Sequence, residues 1–281
     1  MKTKSFKRHL KWIIPILLAV LAIAAFYNGL TVRHYDFATE KLGAGEALRV
    51  IVVADLHSHI YGENQTKIIT KIRAEQPDLI LLAGDIADDY VPIIGTEIFL
   101  AEARDIAPLF YATGNHEYWS GEIASIKETI RSYGVIVLEE DYVEIEINDI
   151  PLIIAGVDDP EWRRYENKSG QPSAEERFVE FEGDERLKIL LAHRPERFEE
   201  YMGYSVDLVV SGHAHGGQAR IPFILNGLVA PDQGWFPQYA GGLYRHGEMT
   251  HIVSRGVSFN PRLPRVFNPP EIVVIDISGA V

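Results

Sequence analysis

The chain has 281 residues, 47% of them hydrophobic, which is enough for one sizeable domain core. Its formal net charge of −13 is the opposite of the Lys/Arg-rich surface that binds a nucleic-acid backbone, so nucleic acid is not an expected partner. It has no cysteine, which excludes disulfides, thiolate zinc sites and cysteine nucleophiles; any metal must be held by oxygen and imidazole.

Residues 1–11 carry Lys2, Lys4, Lys7, Arg8 and Lys11 with no acid, and residues 12–30 carry no charge. That apolar length suffices to span a bilayer, and a basic flank tends to stay cytoplasmic. A single-pass anchor in the cell membrane, with the remainder outside the cytoplasm, is the expectation. A secretory signal cleaved after Ala22-Ile23-Ala24 is the competing one and would release the protein. Residues 31–46 read as a polar linker and 47–281 as one domain.

From Arg49 onward short β-branched runs alternate with amphipathic stretches. Residues 49–54 (RVIVVA), 79–83 and 109–112 read as buried strands, separated by helices over 64–75, 96–104 and 123–133, the βαβ pattern of a parallel sheet. Residues 142–147 (YVEIEI) alternate and are followed across Asn148-Asp149 by 152–155 (LIIA), which predicts a hairpin. A helix over 175–181, strands over 188–192 and 207–210, and a Gly- and Pro-rich tail with strands at 251–254 and 272–277 complete the chain. The expected fold is α/β: two mixed β-sheets flanked by helices in a four-layer α/β/β/α sandwich.

Polar residues sit where these strands end. Asp55 and His57 follow the first, Asp85 the second, Asn115 and His116 the third, His193 the strand at 188–192, and His213 and His215 the strand at 207–210. Each alone reads as a turn residue, and His193 as a helix cap. Together they place five histidines, two carboxylates and an amide at strand ends, where α/β sheets gather ligands. The glycines around His213 and His215 relax the backbone there.

The ordered set Asp55-x-His57, Gly84-Asp85, Gly114-Asn115-His116-Glu117, His193 and Gly212-His213-x-His215 resembles the calcineurin-like metallophosphoesterase superfamily. The blocks VDLVVSGHAHGGQ, GVDDP, AHRPE and PRVFNPPEIVVI resemble its bacterial membrane-anchored branch, which includes enzymes similar to UDP-2,3-diacylglucosamine hydrolases. The resemblance implies a dinuclear centre at the strand ends, with two divalent ions (manganese, iron or zinc). One would be bound by Asp55, His57, Asp85 and His215 and the other by Asp85, Asn115, His193 and His213. His116 would stand by the substrate as proton donor, and a metal hydroxide would attack a phosphodiester or pyrophosphate bond. The implied substrate class is a lipid-linked or nucleotide-linked envelope precursor; a broad phosphomonoesterase, or an inactive binding module of the same fold, are the alternatives.

Five further residues have open roles. His59 could serve substrate or a third metal or be a loop histidine, Asp88 could lie behind the ligands or be simply polar, Glu117 could orient His116 or a ligand, and Arg194 and Arg265 suit a phosphate or carboxylate. Residues 221–225 (IPFIL) and 235–237 (WFP) either pack the second sheet or form a membrane-facing lip.

Overall fold

The computed structural model describes residues 2–168, 170–258 and 263–280, with main chain only for 2–11. In chain order the strands are β1 (Thr31–Thr39), β2 (Ala47–Val53), β3 (Leu79–Ala83), β4 (Leu109–Ala112), β5 (Ile136–Val137), β6 (Asp141–Ile147) and β7 (Ile150–Val157). They continue with β8 (Leu187–Ala192), β9 (Leu208–Ser211), β10 (Val229–Ala230), β11 (Gly234–Trp235), β12 (Gly242–His246), β13 (Met249–Val253) and β14 (Glu271–Gly279). One six-stranded sheet has the order β1-β14-β2-β3-β4-β5 and the other β12-β13-β9-β8-β7-β6, while β10 and β11 form a separate small hairpin.

Both sheets are mixed. Strands β2 to β5 are parallel, β14 runs antiparallel to β2, and β1 runs parallel to β14. In the second sheet β7, β8, β9 and β13 are parallel, with β6 and β12 as antiparallel edges. The apolar runs of β3 and β4, and those of β8 after Lys188 and of β9 before Ser211, follow from burial on both faces, whereas the edge strand β6 alternates because one face meets water. The expected hairpin forms at Asn148-Asp149, both at positive φ, with Ile147 paired to Ile150.

Three apolar layers separate the four structural layers. The inner one joins the two sheets through Val50, Leu81, Phe110, Ile154, Leu191 and Val210, among others. A second lies under helices Thr66–Glu75, Ile94–Ala103 and Ile123–Ser132, which bury Ile68 and Ile72, Phe99, and Ile126 and Ile130. The third covers the other sheet with Phe178, Phe181, Tyr201 and Tyr204. The four-layer α/β/β/α expectation holds.

Residues 31–46 depart from the sequence reading. They are not a linker, because Thr31 to Thr39 form β1, whose nine residues pair in register with Glu271 to Gly279. The strand is half-exposed and polar, so it lacks the apolar run that marks the others. Ahead of it, helix Lys2–Ala25 contains Pro15 and leaves Trp12, Leu17, Leu21 and Ile23 exposed. Among the described residues no helix is long and apolar enough to cross a membrane.

Candidate metal centre

The turns after β2 and β3 are tied together by their backbones, and the turn after β4 joins them through the side chains of Glu117 and Asp85. Asp55, His57 and Ser58 donate their amides to the carbonyls of Gly84, Asp85 and Ile86 at 2.9 to 3.0 Å. Glu117 sits beneath, fully buried, and accepts from the amides of Asp85, Ile86, Ala87 and Gly114. It does not orient His116. It clamps two loops, a role invisible to motif reading. Gly114 must be glycine because a Cβ there would lie 2.2 Å from Asp85 Oδ1.

Five of the seven residues expected as ligands hold left-handed backbone angles: Asp55 (φ 55), His57 (48), Asp85 (52), His213 (65) and His215 (46). Such angles cost energy in non-glycine residues and cluster at functional sites. They turn each side chain back over its strand end instead of out along the loop. Two bonds lock the sheets across the site: His213 donates its amide to Asp55 Oδ1 at 3.0 Å, and His193 Nδ1 donates to the Ala83 carbonyl at 2.8 Å.

The side chains fall into two groups with ligand-type atoms within 4.8 Å of one another, Asp55 with His57 and His215, and Asp85 with His193 and His213. Asp85 also groups with His57 and His116, so it lies between the two. His57 Nε2 and His193 Nε2 stand 3.8 and 3.1 Å from Asp85 Oδ2, and His215 Nε2 stands 3.7 Å from Asp55 Oδ1. Four buried atoms have no directed hydrogen bond: Asp55 Oδ2, Asp85 Oδ2, Asn115 Oδ1 and His193 Nε2. Burying so many polar atoms unpaired is costly unless a cation satisfies them. The donor set, all oxygen and imidazole, fits divalent metals.

The outer nitrogens are engaged as metal-binding histidines require. His57 Nδ1 donates to Asp88 at 2.9 Å, His193 Nδ1 to the Ala83 carbonyl, and His213 Nε2 to Asp232 at 2.8 Å. Each bond fixes the ring's orientation and keeps the hydrogen of a neutral ring on the outer nitrogen, so that the inner one can face a cation once any second proton has left. His215 differs: burial holds its pKa down at about 3 against the pull of Asp55, so it is neutral, and its Nδ1 lies 3.4 Å from Arg265. Burial likewise lowers His193, but the Asp85 carboxylate beside it outweighs burial and holds it up at about 10.

His116 stands at the rim. Its Nδ1 meets Asp89 at 2.6 Å and Asp88 at 3.3 Å, its amide donates to Asp85 Oδ1, and its ring lies 5.0 Å from that of Trp119. Burial lowers its pKa, but Asp88, Asp85 and Asp89 together raise it to about 9, so the ring carries a proton at neutral pH.

The open residues are now placed. Arg194 is not free for a phosphate: it is buried, donates to both oxygens of Asp159, and contacts Asp232 beside His213. Arg265 is buried against the Arg255 carbonyl and His215. His59 packs edge-on to Tyr61 with its ring centre 4.9 Å away. Sequence reasoning missed Asp89, Asp159, Asp232 and Asn268, the last donating to the His215 carbonyl at 2.7 Å. They sit outside the recurring strand-end pattern, although the quoted blocks GVDDP and PRVFNPPEIVVI contain Asp159 and Asn268.

Two neighbouring imidazole and carboxylate groups, with Asp85 of one also within reach of His57 of the other, at the joined strand ends of a double sheet fit a two-metal hydrolase. The family model described as calcineurin-like phosphoesterase matches residues 48–217, and the chain belongs to that family. It is 32% identical over 260 residues to an uncharacterised metallophosphoesterase of Aquifex aeolicus, covering 89% of this chain and 92% of the relative. It is 28% identical over 295 residues to a Campylobacter jejuni metallophosphoesterase, covering 99% and 73%. A transmembrane protein with metallophosphoesterase domain from Danio rerio is 28% identical, covering 94% and 62%. The chain is a metallophosphoesterase whose cofactors are two divalent metal ions.

Proposed function

We propose that Asp55, His57, Asp85 and His215 hold one cation and Asp85, Asn115, His193 and His213 the other, and that the enzyme cleaves a phosphodiester or pyrophosphate bond in a lipid-linked or nucleotide-linked envelope precursor. The observation that carries the centre is the convergence from both sheets of four buried ligand atoms, of which Asp55 Oδ2 and Asn115 Oδ1 have no hydrogen-bond partner and Asp85 Oδ2 and His193 Nε2 face only each other. Bound there, two divalent cations supply stabilisation of phosphoryl oxygens and a nucleophilic water near neutral pH.

The protein's residues do the rest. Asp85 lies between the groups and sets their spacing, and Asn115 contributes a neutral oxygen so that the site keeps net positive charge for a phosphate. His116, held through Nδ1 by Asp89 and Asp88, passes a proton to the departing oxygen. The envelope setting rests on the basic flank and the uncharged residues 12–30, and on the name of the Danio rerio relative. In this reading the exposed apolar helix that begins residues 12–30 and ends at Ala25 holds the chain at the cell membrane, with the catalytic domain outside the cytoplasm.

The test is metal analysis of the purified chain together with rates on diester, monoester and lipid pyrophosphate substrates. The expected result is two metals per chain with faster turnover of diester or pyrophosphate. Fewer than two metals after loading, or a preference for monoesters, refutes the respective part.

A further inference from the structure

The stretches at 221–225 and 235–237 do not pack the second sheet. Phe223 is fully exposed, Ile224 is 83% exposed and Trp235 69%, and Ile221, Phe236 and Leu263 are also exposed. Large apolar groups in this number are unusual on a water-facing surface.

These groups share one root. Ile221 donates its amide to the Leu225 carbonyl, closing a tight turn, and Leu228 donates to the Gly217 carbonyl where the β10–β11 hairpin begins. Phe236 donates back to Leu228, and Gln218 reaches the Leu263 carbonyl with its side chain. The common base, Gly217-Gln218, lies two residues beyond His215. Ala219 bridges Val266, and Phe267 donates its amide to the Ala25 carbonyl at the end of helix Lys2–Ala25. The exposed turn, the hairpin, Leu263 and the N-terminal helix therefore leave the domain from one strip beside the candidate metal centre.

The helix indicates what covers this strip. Its exposed residues Ile13, Ile14, Ile16, Leu17, Leu18 and Leu21 cover somewhat more than half of the circumference, and exposed Trp12, Pro15, Ala19 and Ala22 complete it without a charge, so it suits an apolar medium on all faces more than a groove in a protein, which needs one stripe. Trp and Phe at the tips suit the bilayer interface.

We propose that the rim formed by Ile221, Phe223, Ile224, Trp235, Phe236 and Leu263 inserts into the lipid surface beside the N-terminal helix, so that the centre takes a phosphoester whose acyl chains stay in the bilayer. This rests on the phosphoesterase reading for its substrate but not for its lipid contact. The hairpin also carries Asp232, the carboxylate on His213, so the lipid-facing tip and the support of a candidate metal ligand share a nine-residue segment, 228–236.

The test uses the full chain with vesicles of brominated phosphatidylcholine, reading Trp235 as the difference in fluorescence between the parent and Trp235→Phe. We expect bromine to quench Trp235 and the double variant Phe223→Glu, Ile224→Glu to slow hydrolysis of vesicle-borne cytidine diphosphate-diacylglycerol about tenfold, since burial of two large side chains is lost. Hydrolysis of water-soluble bis(p-nitrophenyl) phosphate should be unchanged, which also reports an intact fold. An unquenched Trp235 on vesicle-bound protein, equal vesicle rates for parent and double variant, or a dimer that the double variant abolishes without quenching would each overturn the proposal. If the metal-loaded chain cleaves neither substrate, the phosphoesterase reading fails while quenching still decides the lipid contact.

Discussion

The two walls of the metal centre are built from different chemistry. The first sheet contributes Asp55, Asp85 and Asn115, and its histidines, His57 and His116, are backed by the carboxylates Asp88 and Asp89. The second contributes imidazoles alone, and its surroundings are balanced by cations: Arg194 beside His213 and Asp232, and Arg265 beside His215. The contrast teaches a division of labour. One wall sets the charge that holds cations and keeps a proton on His116; the other supplies neutral ligands whose orientation is fixed from behind.

The most severe way to break this arrangement is at the carboxylate both groups share. Asp85→Asn should reduce bound metal below two per chain and lower turnover more than about a thousandfold, because several kcal/mol of charge stabilisation go with it. Metal analysis beside initial rates checks this, and a variant that keeps both metals contradicts the bridging position.

The acidic wall's second task is tested at His116. His116→Ala should retain two metals and lose about a hundredfold to ten-thousandfold in turnover on substrates with poor leaving groups, with a much smaller loss on nitrophenyl esters, which need no proton. Equal losses on both would refute the role.

Asp232 probes the opposite wall. Asp232→Asn removes the carboxylate on His213 Nε2 and should weaken metal binding about tenfold to a hundredfold, read by direct titration with the metal alone. A change confined to turnover would mean that Asp232 does not support the ligand.

A smaller effect follows from pH. In the metal-free protein His193 holds its proton up to about pH 10, because Asp85 outweighs burial, and that proton must leave before Nε2 can bind a cation. Metal affinity should therefore rise with pH between 6 and 9, by up to about tenfold per unit, with proton release detected by calorimetry in buffers of differing ionisation heat. The sign for stability is opposite. A histidine with a raised pKa stabilises the metal-free fold fully below its unfolded value, near 6.5, and loses that contribution as pH climbs toward 10. The gap in melting temperature between loaded and metal-free protein should widen from pH 6 to pH 9.

What could be read from residues alone follows from how each signal is encoded. β3 and β4 announce themselves because burial on both faces demands unbroken apolar runs, β8 and β9 do so through shorter ones, and the ligands do so because each follows such a run. β1 gave no warning: its partner lies 240 residues away, and a half-exposed edge strand needs no apolar pattern. The supporting groups were hidden for a different reason. Glu117 reads in sequence as orienting either His116 or a ligand, yet folding aims it at four amides of neighbouring loops; Arg194 looks available until Asp159 and Asp232 are brought against it. Sequence order conveys which residues end strands, and not which side chains meet across sheets.

One feature of the first sheet bears on how the protein comes into being. β14, the last strand, lies between β1 and β2, pairing with both. The sheet therefore stays open along its middle while the chain emerges, and β1 has no neighbour to pair with until some 230 later residues have followed. Closure is a late, long-range event, intrinsically slow for such topology. The same step brings Asn268 to His215 and Phe267 to Ala25, so completion of the sheet, seating of a candidate ligand and docking of the N-terminal helix finish together. A nascent chain would remain unable to load metal, and so inert toward phosphoesters, until its own final strand had arrived.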